Sequence, residues 1–86
     1  MGEVVMNIDS TKNIFNYIKR YHNSKIISNT FDITSMLYTI NFENGEKTFI
    51  GLLAIERFDV IKPSYKDFEK DYRIMRDNMK EWGWLK

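Results

Sequence analysis

The sequence predicts a single α+β domain over residues 1–86, with an N-terminal helix, a three-stranded antiparallel sheet and a C-terminal amphipathic helix that packs on the sheet. Residues on both sides of Asn44-Gly45 alternate between apolar and polar, as paired strands do. After Pro63 apolar side chains recur every three or four positions, as in an amphipathic helix. A length of 86 residues with 43% hydrophobic residues suffices for one core and excludes a second domain.

The first helix is predicted to start at a cap, Asp9 or Ser10, and to end near Tyr21. Its apolar residues share one face at helical spacing: Ile14, Phe15, Ile18 and Tyr21. From Lys25 the period changes to two, which predicts the first strand. One side of that strand is apolar, with Ile27, Phe31 and Ile33, and the other is polar, with Ser28, Thr30 and Asp32.

A hairpin follows the turn at Thr34-Ser35. If Asn44-Gly45 is a two-residue loop, Phe42 lies opposite Lys47 and Ile40 opposite Phe49. The third strand then runs from Glu46 to Glu56, and the apolar face of the hairpin collects Tyr38, Ile40, Phe42, Phe49, Leu53 and Ile55.

Three apolar residues, Leu37, Ile50 and Leu52, then fall on the otherwise polar face of the sheet. Apolar groups in that position are expected to be covered. A helix, a fourth N-terminal strand formed by Val4-Val5, or another protein chain could cover them.

The C-terminal helix has a clear start, because Pro63 and Ser64 precede Asp67 in a variant of the capping box. Its apolar stripe is predicted to lie on the sheet and consists of Tyr65, Phe68, Tyr72, Met75, Met79 and Trp82. Gly83 is expected to end the helix, which leaves Trp84 to Lys86 as a tail.

The sequence predicts no catalytic residue, cofactor site or metal site. There is no cysteine for a thiolate or a disulfide, and the four glycines form no phosphate-binding loop. His22 is expected to lie at a helix end, without a second metal ligand nearby. Two acidic pairs, Asp67 with Asp71 and Glu56 with Asp59, leave a small metal-dependent enzyme as the second alternative.

Two surfaces are candidates for binding. Exposed tryptophan near a chain end is typical of an interface, so a protein-binding surface is predicted at Trp84, Leu85, Leu37, Ile50 and Leu52. The alternative is a nucleic-acid-binding surface formed by cations of the first helix and just after it: Lys12, Lys19, Arg20 and Lys25. The net charge of +1 lacks the large basic excess typical of phosphate binding.

The predicted order of elements resembles that of the double-stranded RNA-binding domain. That family places a lysine cluster at the start of its second helix, where this chain has Lys62-Pro63-Ser64-Tyr65-Lys66, with two lysines separated by a cap. The order is also similar to that of small phage-encoded inhibitors, including some anti-CRISPR proteins. Abundant Ile, Lys and Asn beside a single alanine indicate AT-rich coding, which is common in phages of low-GC bacteria.

These observations favour a non-enzymatic interaction module of a phage or mobile element that binds and inhibits a host protein or complex. Nucleic acid is the alternative partner, and homodimer formation through uncovered apolar surface is a further expectation. The chain lacks a membrane span and a signal sequence, which predicts a cytoplasmic protein with no membrane partner.

Overall fold

The computed structural model describes residues 3–4 and 13–85 and confirms the α+β class. It adds one helix to the predicted set. In chain order the elements are β1 (Glu3–Val4), α1 (Asn13–His22), β2 (Ile26–Asp32), β3 (Leu37–Phe42), β4 (Lys47–Gly51), α2 (Leu52–Ile61) and α3 (Tyr65–Glu81).

The four strands form one antiparallel sheet in the order β1-β2-β3-β4. The short β1 places Glu3 opposite Asp32 and Val4 opposite Phe31. The predicted fourth N-terminal strand is therefore present at Val4, whereas Val5 lies outside the described residues. Both β1 and β4 are edge strands.

The core lies between one face of the sheet and the three helices. It comprises Ile14, Phe15, Ile18, Phe31, Tyr38, Ile40, Phe42, Ile50, Ile55, Phe58, Phe68 and Tyr72. Tyr17 joins the helices to one another, because its ring centroid lies 5.4 Å from that of Phe58 on α2 and 5.4 Å from that of Phe68 on α3. Its hydroxyl donates to the carbonyl oxygen of Pro63 at 3.2 Å.

The predicted two-residue hairpin loop is wrong. The Gly45 N–H donates to the Phe42 carbonyl at 3.0 Å, and the Phe42 N–H donates to the Glu46 carbonyl at 2.9 Å. Only Gly45 in this loop has a positive φ, of 91°, whereas a two-residue loop would need one at Asn44 as well. The loop thus has three residues and ends in a glycine bulge.

The extra loop residue shifts the register by one and exchanges the faces of β4. Tyr38 pairs with Ile50, and Thr39 pairs with Phe49. Ile50, predicted on the polar face, therefore lies in the core with 2% of its surface exposed. Phe49, predicted in the core, points to the opposite face, because successive side chains of a strand alternate.

The third strand is also shorter than predicted, since it ends at Gly51 and residues 52–61 are helical. Leu52 to Ile55 are all apolar, and such a run fits a strand or a helix equally well. Ile55 is buried as predicted, but Leu53 points into solvent. α2 ends at Lys62, whose φ is 50° and whose N–H donates to the Phe58 carbonyl at 2.8 Å.

The predicted apolar side of β2 is wrong at Ile27, because the strand contains a bulge there. Ile26 pairs with Phe42 and Ser28 with Asn41, so Ile27 is the additional residue. Ile27 is exposed, and Ile26 packs against the core in its place. Ile33 follows the end of the strand and is exposed as well.

α3 begins as predicted, because Ser64 Oγ accepts the Asp67 N–H at 3.3 Å. Phe68, Tyr72 and Met79 of the predicted stripe are buried, and Tyr65 and Met75 are half-buried. Trp82, predicted to complete the stripe, is exposed. Trp82 is the C-cap residue of α3 and keeps helical backbone angles, so the helical period alone does not decide whether its side chain is buried.

Candidate protein-binding surfaces

α3 ends in a Schellman motif, which is defined by two backbone hydrogen bonds. The Gly83 N–H donates to the Lys80 carbonyl at 3.1 Å, and the Trp84 N–H donates to the Met79 carbonyl at 2.9 Å. Gly83 has a φ of 83°, which glycine adopts without strain. The motif fixes the direction of the backbone that bears Trp84.

This end of the helix presents an aromatic surface, the tail patch, made of Phe49, Trp82 and Trp84. The Trp84 ring lies edge-on to Phe49, with 5.8 Å between centroids, and 5.2 Å from the Trp82 ring. Trp82 is 61% exposed and Trp84 43%. Lys47 borders the patch, with Nζ 5.5 Å from the Phe49 ring centroid.

A second apolar surface, the α2–α3 groove, has a volume of about 550 Å³. Its floor includes the core residues Phe58, Phe68 and Tyr72. Its rims are formed by Leu53, Arg57 and Ile61 on α2 and by Asp71 and Met75 on α3. The sequence pattern does not reveal this groove, because it predicts a strand for the first part of α2.

The five residues predicted to bind protein do not form one surface. Trp84 belongs to the tail patch, whereas Leu85 next to it is buried. Ile50 lies in the core, and Leu52 is half-buried against that core. Leu37 is half-buried near Gly51. Trp84 therefore offers the largest exposed area of the five.

The predicted cationic surface is partly engaged in contacts within the chain. The Arg20 guanidinium carbon lies 3.9 Å from the centroid of the Tyr65 ring. Lys19 and Lys25 line a cleft of about 440 Å³ between α1 and β2, together with Asn29. Asn29 Oδ1 is buried and accepts no hydrogen bond from the described residues. Lys12 lies outside the described residues.

A buried polar cluster of His22, Thr48 and Tyr72 joins α1, β4 and α3. The Tyr72 hydroxyl donates to Thr48 Oγ1 at 2.8 Å, and its oxygen lies 2.7 Å from His22 Nε2. Which atom donates in the His22 contact depends on the His22 tautomer, and together the two contacts form a chain of hydrogen bonds through the Tyr72 hydroxyl. His22 also stacks on Phe42, with 4.1 Å between centroids.

Two charged groups lie at the edge of this cluster. Glu46 Oε1 is 3.4 Å from His22 Nδ1, and Arg76 Nη1 is 3.4 Å from His22 Nε2. Burial, followed by the Arg76 charge, lowers the pKa of His22, although Glu46 opposes the shift. Burial raises the pKa of Tyr72 to about 12. The cluster is therefore neutral near pH 7 and ties three elements together.

The acidic residues considered for an enzyme do not gather in a metal site. Across residues 3–4 and 13–85, no three His, Asp or Glu side chains converge in a way that could hold a metal ion. Asp67 lies in the first turn of α3, and Asp71 lies on the rim of the α2–α3 groove. No helix in the described part of the chain combines the length and apolarity needed to span a bilayer.

Comparison with models of protein families, with curated proteins and with solved structures gave no match to this chain.

Proposed function

We propose that this protein is a non-enzymatic interaction module that binds another protein through the tail patch. The observation that supports the proposal is the pair of exposed tryptophans, Trp82 and Trp84, held side by side at the end of α3. Tryptophan is the residue type most enriched among those that dominate binding energy at protein interfaces. These two are the only tryptophans in the chain, and neither is buried.

The patch is organised before any partner arrives. The Schellman motif at Gly83 fixes the backbone, and Phe49 on β4 supports the Trp84 ring from below. Binding then requires little ordering of the backbone, which lowers the entropic cost of association. A rigid aromatic surface on the edge of a sheet suits a protein partner better than a small molecule.

The chemistry of the patch defines the partner that it fits. Three aromatic rings provide an apolar centre, and the Lys47 ammonium group provides a positive charge at its border. A complementary surface presents an apolar side chain to the tryptophans and a carboxylate to Lys47. The proposed partner is therefore a protein segment with an apolar residue next to an acidic one.

The test begins with affinity capture from a host lysate by the wild type, Trp84→Ala and the control Lys66→Ala. Lys66 is an exposed residue in the first turn of α3, at the opposite end of that helix from the patch. A specific partner is retained by the control and lost with Trp84→Ala. That partner is then purified and titrated against each variant.

Within this chain, tryptophan fluorescence reports on the tail patch alone, because Trp82 and Trp84 are its two tryptophans. Binding of the purified partner is expected to shift the wild-type emission to shorter wavelength as the rings leave water. Trp84→Ala should weaken binding at least about tenfold, while Lys66→Ala should match the wild type. A partner that binds Trp84→Ala as tightly as the wild type would refute the proposed surface.

Nucleic acid is the second candidate partner, and the cleft between α1 and β2 favours it. Lys19 and Lys25 line this cleft and could contact the phosphates of a bound strand. Titration with single-stranded oligonucleotides at several salt concentrations tests this alternative. Affinity that falls steeply with salt, and falls further in Lys19→Ala, would support it.

We extend the proposal to the origin and the cellular location of the protein. A cytoplasmic protein of a phage or mobile element that inhibits a host protein accords with the AT-rich coding bias. We also propose that the chain self-associates, through a surface other than the tail patch.

A further inference from the structure

We propose that the α2–α3 groove is the interface of a two-fold homodimer. The outer side of α2 carries two large apolar residues that its own domain leaves in water: Leu53 is 78% exposed and Val60 is 83% exposed. On α3, Ile74 is exposed, and Met75 on the groove rim is half-buried. Leu53 and Met75 line the groove, and Val60 and Ile74 add exposed apolar surface on the same two helices.

Packing in the core does not explain why Leu53 and Val60 are apolar. Ile55 and Phe58 direct one side of α2 into the core. Leu53 and Val60 lie seven residues apart on the opposite side of that helix, as helical spacing requires. A helix that is apolar on both sides is typical of an element buried on both sides. The described part of the chain covers only the side of α2 that bears Ile55 and Phe58.

The charges on the groove rims identify a second copy as the occupant. Arg57 lies on the α2 rim and Asp71 on the α3 rim, and neither forms an ion pair within 4 Å among the described residues. A two-fold axis along the groove sets α2 of one protomer against α3 of the other. Arg57 then faces the partner's Asp71 in both halves of the interface. A rim of mixed sign is complementary to itself, whereas a partner of one charge would be repelled at one rim.

The size of the surface sets the expected strength of the dimer. α2 has ten residues and is about 15 Å long, and two adjacent helices are about 20 Å wide, so the footprint is on the order of 300 Å². This is smaller than the roughly 800 Å² per partner of a stable complex. The dimer is therefore expected to be weak. The net charge of +1 adds little repulsion between copies.

Sedimentation equilibrium from about 5 to about 500 µM tests the dimer directly. Leu53→Glu is expected to weaken dimerisation at least about tenfold, because it places a charge at the apolar centre of the interface. Leu53 is exposed, so the variant should fold, and circular dichroism checks this. Lys66→Glu is the matched control on the far side of α3 and should dimerise like the wild type.

Charge exchange across the rims tests the two-fold arrangement. Arg57→Asp and Asp71→Arg should each weaken the dimer about tenfold, because each puts like charges opposite one another twice. The double variant restores opposite charges and should recover to within about threefold of the wild type. A wild type that is monomeric at the highest concentration, a dimer insensitive to Leu53→Glu, or a double variant without recovery would each overturn the proposal.

Discussion

Replacing Tyr72 with phenylalanine tests how much the buried polar cluster contributes to stability. The substitution keeps the ring, which stacks on Phe68 with 5.1 Å between centroids, and removes only the hydroxyl. Thr48 Oγ1 then loses the donor at 2.8 Å, and His22 Nε2 loses its hydrogen-bond partner at 2.7 Å. Both residues are buried, so water does not readily replace the hydroxyl.

The expected loss follows from these two contacts. A buried polar group left without its partner costs about 1–3 kcal/mol. Arg76 Nη1 remains 3.4 Å from His22 Nε2, a distance too long for a strong hydrogen bond, so Arg76 replaces the hydroxyl poorly. We therefore expect Tyr72→Phe to lower the free energy of unfolding by about 2–3 kcal/mol. For a domain of this size that corresponds to a fall in Tm of roughly 10–20 °C.

Urea denaturation and scanning calorimetry at pH 7.5 measure the effect. The double variant Tyr72→Phe with Thr48→Val removes both members of one hydrogen bond, so it should be less destabilised than the two single variants together predict. A loss below about 0.5 kcal/mol for Tyr72→Phe would show that the cluster has replacement partners and would refute this reasoning.

Two further predictions concern pH and the hairpin loop. Since the folded-state pKa of His22 lies below its ordinary value of 6.5, the unfolded chain binds the additional proton, and stability should fall as the pH drops below about 6.5. Urea titrations at intervals down to pH 5 would show this slope, and its persistence in His22→Gln would assign it to another group. Gly45→Ala should lower the free energy of unfolding by about 1–2 kcal/mol, because alanine is strained at a φ of 91°. The new Cβ would have no atom within 4 Å, so backbone strain and not a steric clash would cause the loss. Gly51→Ala is the control, because the backbone of Gly51 is extended and its new Cβ would lie at an ordinary contact distance of 3.8 Å from Leu37. If thermal melts show an equal loss of stability in both variants, backbone strain is not the cause.

Local signals in the sequence determined the elements whose cues lie within a few residues. The cap at Ser64 and the spacing of Phe68, Tyr72 and Met79 specify α3, because a cap and a helical period act within the helix itself. The alternation from Tyr38 to Phe42 likewise specifies β3 and its buried face. The α+β class follows from these two patterns.

Only the tertiary structure decided the features that depend on contacts distant in the chain. The hairpin register depends on whether one or two loop residues adopt positive φ, and Asn44-Gly45 permits either. The run from Leu52 to Ile55 fits a strand or a helix, and its packing against α1 and the core decides for the helix.

One of the candidate surfaces can be recognised from the sequence, and the other requires the tertiary structure. The sequence alone indicated Trp84, because a large aromatic residue at a chain end needs no tertiary information to be noticed. The α2–α3 groove and the cluster of His22, Thr48 and Tyr72 exist only because residues from separate elements meet in the fold. His22 and Tyr72, for example, are 50 positions apart, and the period of a single helix or strand cannot reveal such a contact.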